Sequence, residues 1–337
     1  MSKKISIIIP CYNVEQYIDR CVYSLLNQSI GLQNLELIFI NDASPDSTLD
    51  KLLDYERQYP DNIIIINSAV NLKQGGARNL GLEQASCDYI GFVDADDWIA
   101  PAMYEKLYQK AVEYDCDVAT CSFKRVSDEN VDMGSTGLPD QFITIDDETK
   151  QKELLINGLG SGLTTKLYRK RILETNHICF PEHLSYEDNY FGGLLLFYAK
   201  RIYILEEYLY YYYINPLSTV IMKNSTHHFD RLEVELMKLS EYQKRELVSR
   251  YPDEIEFKFI SLFYINTLHI VFTRFQNIPG DLLDEMKVTL KYYFPNYSSN
   301  KYISLLSPLD KILFRTLNIP VLQEDWQMYA SVYMNNM

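Results

Sequence analysis

The first third of the chain alternates between two spacings of apolar residues. A β-branched run at Ile5–Ile9 predicts a strand, and apolar residues at helical spacing from Val14 to Leu26 predict the helix that follows it. Because the strand segments are apolar throughout, they predict a mostly parallel, Rossmann-like sheet that is covered by helices on both faces. The strand pattern returns at residues 35–40, 63–66 and 89–93.

One helix start is predicted from a turn sequence. Ser44 precedes Pro45, and a capping serine before a proline at the first helical position predicts a helix that runs through Leu52. That helix would begin directly after the second strand.

The later part of the chain predicts a helical region after the sheet. Residues 124–150 are polar and acidic, and we interpret them as a surface excursion. A helical pattern at Glu187–Tyr198 and an aromatic, strand-like run at Ile202–Ile214 continue the α/β pattern. Beyond them the spacing is mostly helical. The sequence therefore predicts an α/β domain over residues 1–225 and a mainly helical region over residues 226–337.

The charge balance narrows the set of partners. The chain has 337 residues, with 32 Lys and Arg against 46 Asp and Glu, and its formal net charge of -14 repels nucleic acid and anionic bilayers. We therefore expect no nucleic-acid partner and at most peripheral membrane contact. No apolar run reaches the ~18 to 20 residues of a membrane span, and no leader pattern is seen, so we expect a cytoplasmic location, at most at the inner face of the membrane. Six scattered Cys predict reduced, mostly buried thiols.

Polar residues follow each of the four predicted strands. In a parallel sheet with helices on both faces, ligands bind beyond the carboxyl ends of the strands, so these residues are expected to converge. They are Cys11–Asn13, Asn41–Asp42, Asn67–Asn71 and Asp94–Asp97.

Asp94, Ala95 and Asp96 form the most informative motif, directly after the fourth predicted strand. Two carboxylates separated by one residue can share Mg²⁺ or Mn²⁺ with the phosphates of a nucleotide. An acidic cluster in an ordinary loop is the alternative. With Asp97, however, three carboxylates meet at one place, where they repel one another unless a cation or hydrogen-bond donors compensate. The hypothesis is therefore a divalent metal site at Asp96 and Asp94.

Three further residues near the strand ends suit a nucleotide. Tyr12 could stack on a base, Asp42 could accept hydrogen bonds from a base or ribose, and Arg78 at a Gly-containing helix start could hold a diphosphate. Each has a structural alternative: Tyr12 as a packing residue at the rim, Asp42 as a turn residue, and Arg78 as an ordinary residue of a first helical turn.

Taken together, these segments resemble the family 2 glycosyltransferases, which have the GT-A fold. The resemblance covers about residues 4–220 and depends on the order of six segments. They are ISIIIPCYNVEQYIDRCVYSLLNQS, LELIFINDASPDST, NLKQGGARNLGL, YIGFVDADDWI, TKLYRK and YEDNYF. The resemblance implies a nucleotide-binding half at about residues 1–122 and an acceptor half at about residues 150–225.

The activity that the resemblance implies is metal-dependent sugar transfer with inversion. The donor would be a nucleotide diphosphate sugar, usually UDP-linked, carrying a hexose or an N-acetylhexosamine. The acceptor would be a hydroxyl of a glycan, a cell-surface polymer or a glycoprotein. Asp94 would contact the ribose or the donor sugar, and Asp96 would hold Mn²⁺ or Mg²⁺ together with Asp94. The residues implied in nucleotide-sugar binding are Pro10, Tyr12, Asp42, Asn71, Arg78, Asp94 and Ala95.

Asp188 matches the position of the family's catalytic base. Inversion by in-line attack needs one carboxylate near the acceptor hydroxyl and forms no covalent intermediate. The local sequence leaves another interpretation open, because Ser185 and Asp188 are spaced as a capping box and acidic residues at a helix N-terminus favour the helix dipole.

Features outside these motifs carry weaker hypotheses. His227 and His228 could supply a metal ligand or could lie at a helix start without one, and we leave them out of the metal site. The run Tyr210–Tyr213 is interpreted as core or interface packing. Residues 305–322 suit either a helix at a membrane surface or one packed on the protein. The C-terminal helices are candidates for acceptor recognition or for a homo-oligomer contact.

Two other functions compete with sugar transfer. A nucleotidyltransferase would carry a Gly-rich loop with Arg and Lys after the first strand, whereas residues 10–13 are Pro-Cys-Tyr-Asn. An inactive relative that binds glycans or scaffolds a synthase would lack a metal or base carboxylate, whereas Asp94, Asp96 and Asp188 are present. The identity of the sugar and of the acceptor depends on pocket shape, which the sequence does not give.

Overall fold

The chain divides into two units of structure in a computed structural model that describes residues 3–127, 134–160, 162–215, 221–318 and 323–335. The first unit comprises Met1–Gln151, Leu159–His183 and Phe191–Asn215, and the second comprises Lys152–Gly158, Leu184–Tyr190 and Pro216–Met337. The predicted surface excursion at 124–150 and the predicted amphipathic segment at 305–322 lie partly outside the described residues. The domain limits predicted at residues 122, 150 and 225 stay predictions.

One mixed sheet runs through the first unit, with nine strands among the described residues. They are β1 (Ile5–Cys11), β2 (Leu35–Asp42), β3 (Ile63–Ser68), β4 (Tyr89–Phe92), β5 (Trp98–Ile99), β6 (Val118–Val126), β7 (Gln141–Thr144), β8 (Lys166–Arg169) and β9 (Arg201–Tyr213). Their order is β3-β2-β1-β4-β8-β6-β9-β5, and β7 pairs with β9. The first four strands are parallel, as the sequence predicts. β8 is antiparallel to both β4 and β6.

Seven α-helices lie before position 200 among the described residues. They are α1 (Ile18–Leu26), α2 (Thr48–Gln58), α3 (Lys73–Gln84), α4 (Met103–Glu113), α5 (Glu148–Asn157), α6 (Lys170–Thr175) and α7 (Glu187–Tyr198). Every residue of β2 is buried, and a strand is buried along its whole length only when both faces of the sheet are covered. The predicted α/β fold class is confirmed.

The contact of α3 with the sheet depends on a glycine. A Cβ at Gly81 would come within 3.1 Å of Ile40 Cδ1 in β2 and would press on Ile8 in β1. Any larger residue at this position would push the helix away from the strands. Gly81 therefore sets how closely the helix that carries Arg78 approaches β1 and β2.

The predicted helix start at Ser44 and Pro45 is wrong. The helix α2 begins at Thr48, whose backbone N–H donates to Asp46 Oδ1 at 3.1 Å. The Ser44 hydroxyl instead accepts a hydrogen bond from the Asn13 backbone N–H at 3.2 Å and lies 3.4 Å from Cys11 O. Ser44 thus joins the loop after β2 to the loop after β1, and its role is tertiary rather than capping.

The second unit is mainly helical. Its helices after residue 225 are α8 (Asp230–Lys244), α9 (Leu247–Arg250), α10 (Pro252–Phe259), α11 (Asn266–Arg274), α12 (Gly280–Tyr293), α13 (Pro308–Arg315) and α14 (Gln323–Asn335). A 3₁₀ turn at Thr226–Phe229 precedes α8, and a π-helical segment at Ile260–Ile265 joins α10 to α11. The predicted helical region after the sheet is confirmed.

One helical stretch of the second unit, Pro252–Arg274, is long and apolar enough to cross a membrane by length and composition. The sequence has no unbroken apolar run of that length here, because Asp253, Glu254, Glu256 and Lys258 lie within the stretch. Most of the stretch is buried within the protein, which is also typical of the core helix of a globular unit.

Candidate functional site

The ends of β1, β2 and β4 lie side by side, as the parallel topology requires. Pro10 pairs with Ile40 in β2, and Ile8 is the last β1 residue that pairs with β4. Pro10 thus lies beyond the residues of β1 that pair with β4. Proline has no N–H to donate, and at this position the ladder between β1 and β4 loses no hydrogen bond because of it. Tyr12 follows with its side chain half exposed (51%), as a residue that stacks on a ligand would be.

Asp42 is buried at the end of β2 and organises the loop before α3. Its Oδ1 accepts a hydrogen bond from the Leu72 backbone N–H at 2.7 Å, and its carbonyl oxygen accepts one from Asn71 Nδ2 at 3.3 Å. Burial raises the pKa of Asp42 above its ordinary value, although the amides of Leu72 and Lys73 oppose the shift. The structure therefore brings Asp42 and Asn71 together and fixes the loop between β3 and α3.

Arg78 and Asp94 form an ion pair that is buried on the arginine side. Arg78 Nη2 lies 2.8 Å from Asp94 Oδ1, and the Arg78 side chain is 3% exposed while that of Asp94 is 27% exposed. The guanidinium also lies over the Phe180 ring, 5.6 Å from its centroid. Arg78 lies in the second turn of α3 rather than at its start, and it presents its charge to the loop after β4.

Asp96 is held from two sides. Its Oδ2 accepts a hydrogen bond from Asn215 Nδ2 at 3.0 Å, and its carbonyl oxygen accepts one from Arg20 Nη2 at 2.9 Å. The Arg20 guanidinium carbon in turn lies 3.8 Å from the centroid of the Trp98 ring. Burial raises the pKa of Asp96, and the charge of Asp94 raises it further. Ala95, between the two carboxylates, is buried.

Asp97 has a structural role in the same loop. Its Oδ2 accepts a hydrogen bond from the Tyr210 hydroxyl at 2.6 Å, and its Oδ1 accepts one from the Tyr213 backbone N–H at 2.7 Å. The Tyr210 hydroxyl also accepts a bond from the Asp94 backbone N–H at 3.2 Å. Burial, followed by the charges of Asp94 and Asp96, holds the pKa of Asp97 well above its ordinary value. Asp97 thus fastens the acidic loop to β9.

The residues fit a metal ion that shares its ligands with a nucleotide. Within the described ranges, no group of three or more His, Cys, Asp or Glu is placed to hold a metal alone. Mg²⁺ commonly uses one or two carboxylates and completes its shell with water and phosphates. Burial, and after it the charge of Asp94, disfavours the ionised form of Asp96 and so raises its pKa, and a cation between the two carboxylates would oppose both effects.

Asp188 belongs to the second unit of structure. It occupies the first turn of α7 within the second unit, whereas the other candidate site residues all belong to the first unit. Its side chain is exposed, and its Oδ1 accepts a hydrogen bond from the Asn189 backbone N–H at 3.0 Å. The Ser185 backbone N–H donates to Asp230 Oδ2 at 2.9 Å, a contact that the capping-box interpretation did not include.

His227 and His228, in the same unit, have different hydrogen-bond partners. His228 Nδ1 lies 2.8 Å from the Tyr186 hydroxyl and Nε2 lies 2.7 Å from Met222 O, so both ring nitrogens are used within the protein. His227 Nδ1 lies 2.6 Å from the Ser225 hydroxyl. The structure therefore gives His228 a role in packing the turn before α7.

Sequence reasoning missed Arg20 and Asn215 and assigned Tyr210 to packing alone. Arg20 lies among helical residues of α1, and Asn215 follows β9 far from the acidic motif in the chain. Neither residue stands in a pattern that predicts contact with Asp96. The density of tyrosines in β9 was the available signal, since a buried tyrosine hydroxyl requires a partner.

The family model described as Glycosyl transferase family 2 matches residues 6–176 of this sequence. The chain therefore belongs to glycosyl transferase family 2. EpsJ of Bacillus subtilis, named as an uncharacterized glycosyltransferase, is 33% identical over 217 residues, which make up 64% of this chain and 62% of EpsJ. YibD of Escherichia coli, also named as an uncharacterized glycosyltransferase, is 30% identical over 263 residues, or 75% of each chain. This chain thus spans about three-fifths of the length of relatives such as EpsJ.

A solved structure shares the fold. The crystal structure of residues 1–349 of TarS from Staphylococcus aureus in complex with UDP superposes with a TM-score of 0.64 at 23% identity, over 99% of this chain and 92% of that one. TarS carries the name poly(ribitol-phosphate) β-N-acetylglucosaminyltransferase, and over 215 residues its sequence is 31% identical to this chain. At 23% identity the superposition establishes the fold, which is GT-A as predicted.

Proposed function

We propose that the protein is an inverting glycosyltransferase that moves a sugar from a UDP-sugar to a hydroxyl of a cell-surface polymer. The observation that carries the proposal is the buried Arg78–Asp94 pair beside Asp96, at the ends of β1, β2 and β4 where nucleotides bind in such sheets. The choice of UDP and of a polymer acceptor follows TarS, whose crystal structure contains UDP and whose name specifies poly(ribitol-phosphate).

The donor would bind through the strand ends. Tyr12 would stack on the uracil ring, Asp42 and Asn71 would bond its polar edge, and Pro10 would shape the floor of the base pocket. Arg78 would contact the diphosphate from its buried position. Asp94 and Ala95 would contact the ribose or the donor sugar. A Mn²⁺ or Mg²⁺ ion at Asp96 and Asp94 would supply neutralisation of the diphosphate charge.

In the transfer step, Asp188 would accept the proton of the acceptor hydroxyl. The hydroxyl oxygen would form a bond to the anomeric carbon from the face opposite the diphosphate, and the bond from that carbon to the diphosphate oxygen would break. The diphosphate would leave with the electron pair, and Arg78 would stabilise its charge. One base suffices for this inversion, so no nucleophilic side chain is needed.

Calorimetric titration of UDP, GDP, dTDP and CDP, with and without Mn²⁺, tests the donor site. We expect tight binding of UDP that depends on the metal, and loss of the metal-dependent part in Asp96→Asn. Binding of none of the four would overturn the donor site and favour a glycan-binding or scaffold protein. A cytoplasmic location, peripheral membrane contact and a homo-oligomer through the C-terminal helices stay predictions.

Turnover of the candidate base variant tests the second half of the proposal. Asp188→Asn should bind UDP as the unchanged protein does and should lose sugar transfer, because the amide cannot accept the hydroxyl proton. Full turnover in this variant would remove Asp188 from its role.

A further inference from the structure

The residue before α7 has a backbone conformation that a bulky side chain rarely adopts. Tyr186 has φ of 67°, in the left-handed region, and lies two residues before Asp188. Residues other than glycine keep such a conformation only when their surroundings hold it, and they concentrate at functional sites. Glu187, between the two, is buried. The strained turn thus leads directly into the candidate base.

Two hydrogen bonds from one short segment hold this turn. Asp230 Oδ2 accepts from the Ser185 backbone N–H at 2.9 Å, and His228 Nδ1 lies 2.8 Å from the Tyr186 hydroxyl. The other His228 nitrogen, Nε2, lies 2.7 Å from Met222 O and must donate to that carbonyl. Nδ1 is therefore the acceptor, and the Tyr186 hydroxyl donates to it.

A third contact comes from Arg231, at the start of α8. The guanidinium carbon lies 5.0 Å from the centroid of the Tyr186 ring, and the side chain is 4% exposed. The Nε atom of Arg231 is buried and has no hydrogen-bond partner among the residues that the structure describes. Burial lowers the pKa of Arg231, and its electrostatic interactions with Tyr186, Glu235 and Asp188 oppose that shift. A buried positive charge therefore packs on the ring of Tyr186, two residues before Asp188 in the chain.

We propose that residues 228–231 hold the Tyr186 turn in the conformation that orients Asp188, so that His228, Asp230 and Arg231 are positioning residues for proton transfer. This inference rests on the proposed function, in which Asp188 is the base. It gives the start of the C-terminal helical region a role in the reaction, which neither the strand-end motifs nor the family match covers.

Paired variants of the full-length chain test the two hydrogen bonds. Tyr186→Phe removes the hydroxyl and keeps the ring, and Asp230→Asn weakens the acceptor of the Ser185 amide. Tyr264→Phe is the matched control, because it removes another tyrosine hydroxyl of the second unit, 2.7 Å from the Thr316 hydroxyl and far from Tyr186 in the chain. The probes are UDP release from UDP-GlcNAc and from UDP-glucose with Mn²⁺, UDP affinity, and amide hydrogen exchange at residues 184–190.

We expect kcat to fall by about ten- to a hundredfold in Tyr186→Phe and Asp230→Asn, the range that a displaced reacting group produces. The donor KM and the UDP affinity should stay unchanged, since neither altered side chain is one of the proposed donor ligands. Exchange at residues 184–190 should become faster in both variants. Tyr264→Phe should leave kcat and this exchange as they are, whatever it does to stability.

Two substitutions of Arg231 test its charge. Arg231→Met keeps a long apolar stem without the charge, whereas Arg231→Lys keeps the charge. Partial recovery of kcat in Arg231→Lys relative to Arg231→Met, at equal UDP affinity, supports a positioning role for the charge. Equal kcat in the two variants and the unchanged protein removes Arg231 from the proposal.

Failure of this inference is separable from failure of the proposed function. If Asp188→Asn keeps full turnover, the proposed function loses its base. If Asp188→Asn is inactive while Tyr186→Phe and Asp230→Asn turn over normally, only the positioning role is overturned. Hydrogen exchange needs no donor, so unchanged exchange in both variants overturns the inference even when neither UDP-sugar is consumed.

Discussion

At the scale of single residues, the acidic loop after β4 divides its tasks among three similar side chains. Asp94 pairs with Arg78, Asp96 with Asn215, and Asp97 with Tyr210. The sequence predicted that the carboxylates meet and need compensation. It could not show which of them is structural, because the deciding partners of Asp96 and Asp97 lie 119 and 113 residues along the chain.

Tyr210→Phe tests the structural role of Asp97. The change leaves the buried carboxylate with the Tyr213 amide and leaves the Asp94 amide without the hydroxyl oxygen. We expect the free energy of unfolding to fall by about 1 to 3 kcal/mol, the cost of an unsatisfied buried polar group. Urea denaturation measures it.

Tyr212→Phe is the control for that change. Tyr212 lies on the same strand as Tyr210, but its hydroxyl has no hydrogen-bond partner in the described part of the chain. Equal loss of stability in the Tyr210 and Tyr212 variants would show that Asp97 is satisfied by other means.

At the scale of elements, apolar spacing predicted the helices and strands that depend on residues close together in the chain. It missed the element bounds that depend on contacts with distant segments. The bounds of α7 and the start and end of β9 were predicted to within one residue, and β1 to β4 to within two. The start of α2 was wrong because the Ser44 hydroxyl is used by the loop after β1. β5 was not predicted, since its two residues form a strand only by pairing with β9.

Gly81→Ala tests the close contact of α3 with the sheet. A methyl group there would collide with Ile8 and Ile40, so we expect a loss of about 1 to 3 kcal/mol in the free energy of unfolding. UDP affinity should fall with it, because the helix that carries Arg78 would shift.

Gly192→Ala is the matched substitution in α7. A Cβ at Gly192 meets no atom within 4 Å, so alanine should stabilise the helix by about 0.5 to 1 kcal/mol. Thermal unfolding of the two variants side by side gives the comparison. A Gly81→Ala protein as stable as the Gly192→Ala protein would contradict the packing described for α3.

At the scale of the whole molecule, the second unit is assembled from three separate segments of the chain. The sequence pattern could not show that residues 152–158 and 184–190 associate with the later helices. Each of these two segments has only seven residues, which is too short for the spacing of its apolar residues to show which other segment it packs against.

The second unit should be the more acid-sensitive of the two. Burial lowers the pKa of both His228 and His269 below the ordinary 6.5, and Arg231 and Arg274 lower both further. The unfolded chain therefore takes up protons before the folded chain does. The stability of this unit should be full above about pH 6.5 and should fall as the pH drops through the folded-state pKa values.

Hydrogen exchange resolved by segment, at about pH 7.5 and about pH 5.5, measures this effect on either side of the ordinary histidine pKa. The rates must first be corrected for the intrinsic effect of pH on exchange. A double variant, His228→Gln with His269→Gln, should lose most of the difference between the two conditions. Equal acid sensitivity in the double variant would assign it to other groups.

The segmented second unit also sets an order of events during synthesis. Every strand of the sheet has been made once the ribosome has passed Tyr213, so the first unit can fold while translation continues. The turn at Tyr186 must wait for His228, Asp230 and Arg231. If the first unit folds before residues 228–231 can pack, the proposed donor residues would be in place while the turn of the proposed base was still unsupported. On that proposal, a growing chain would bind an activated sugar without consuming it.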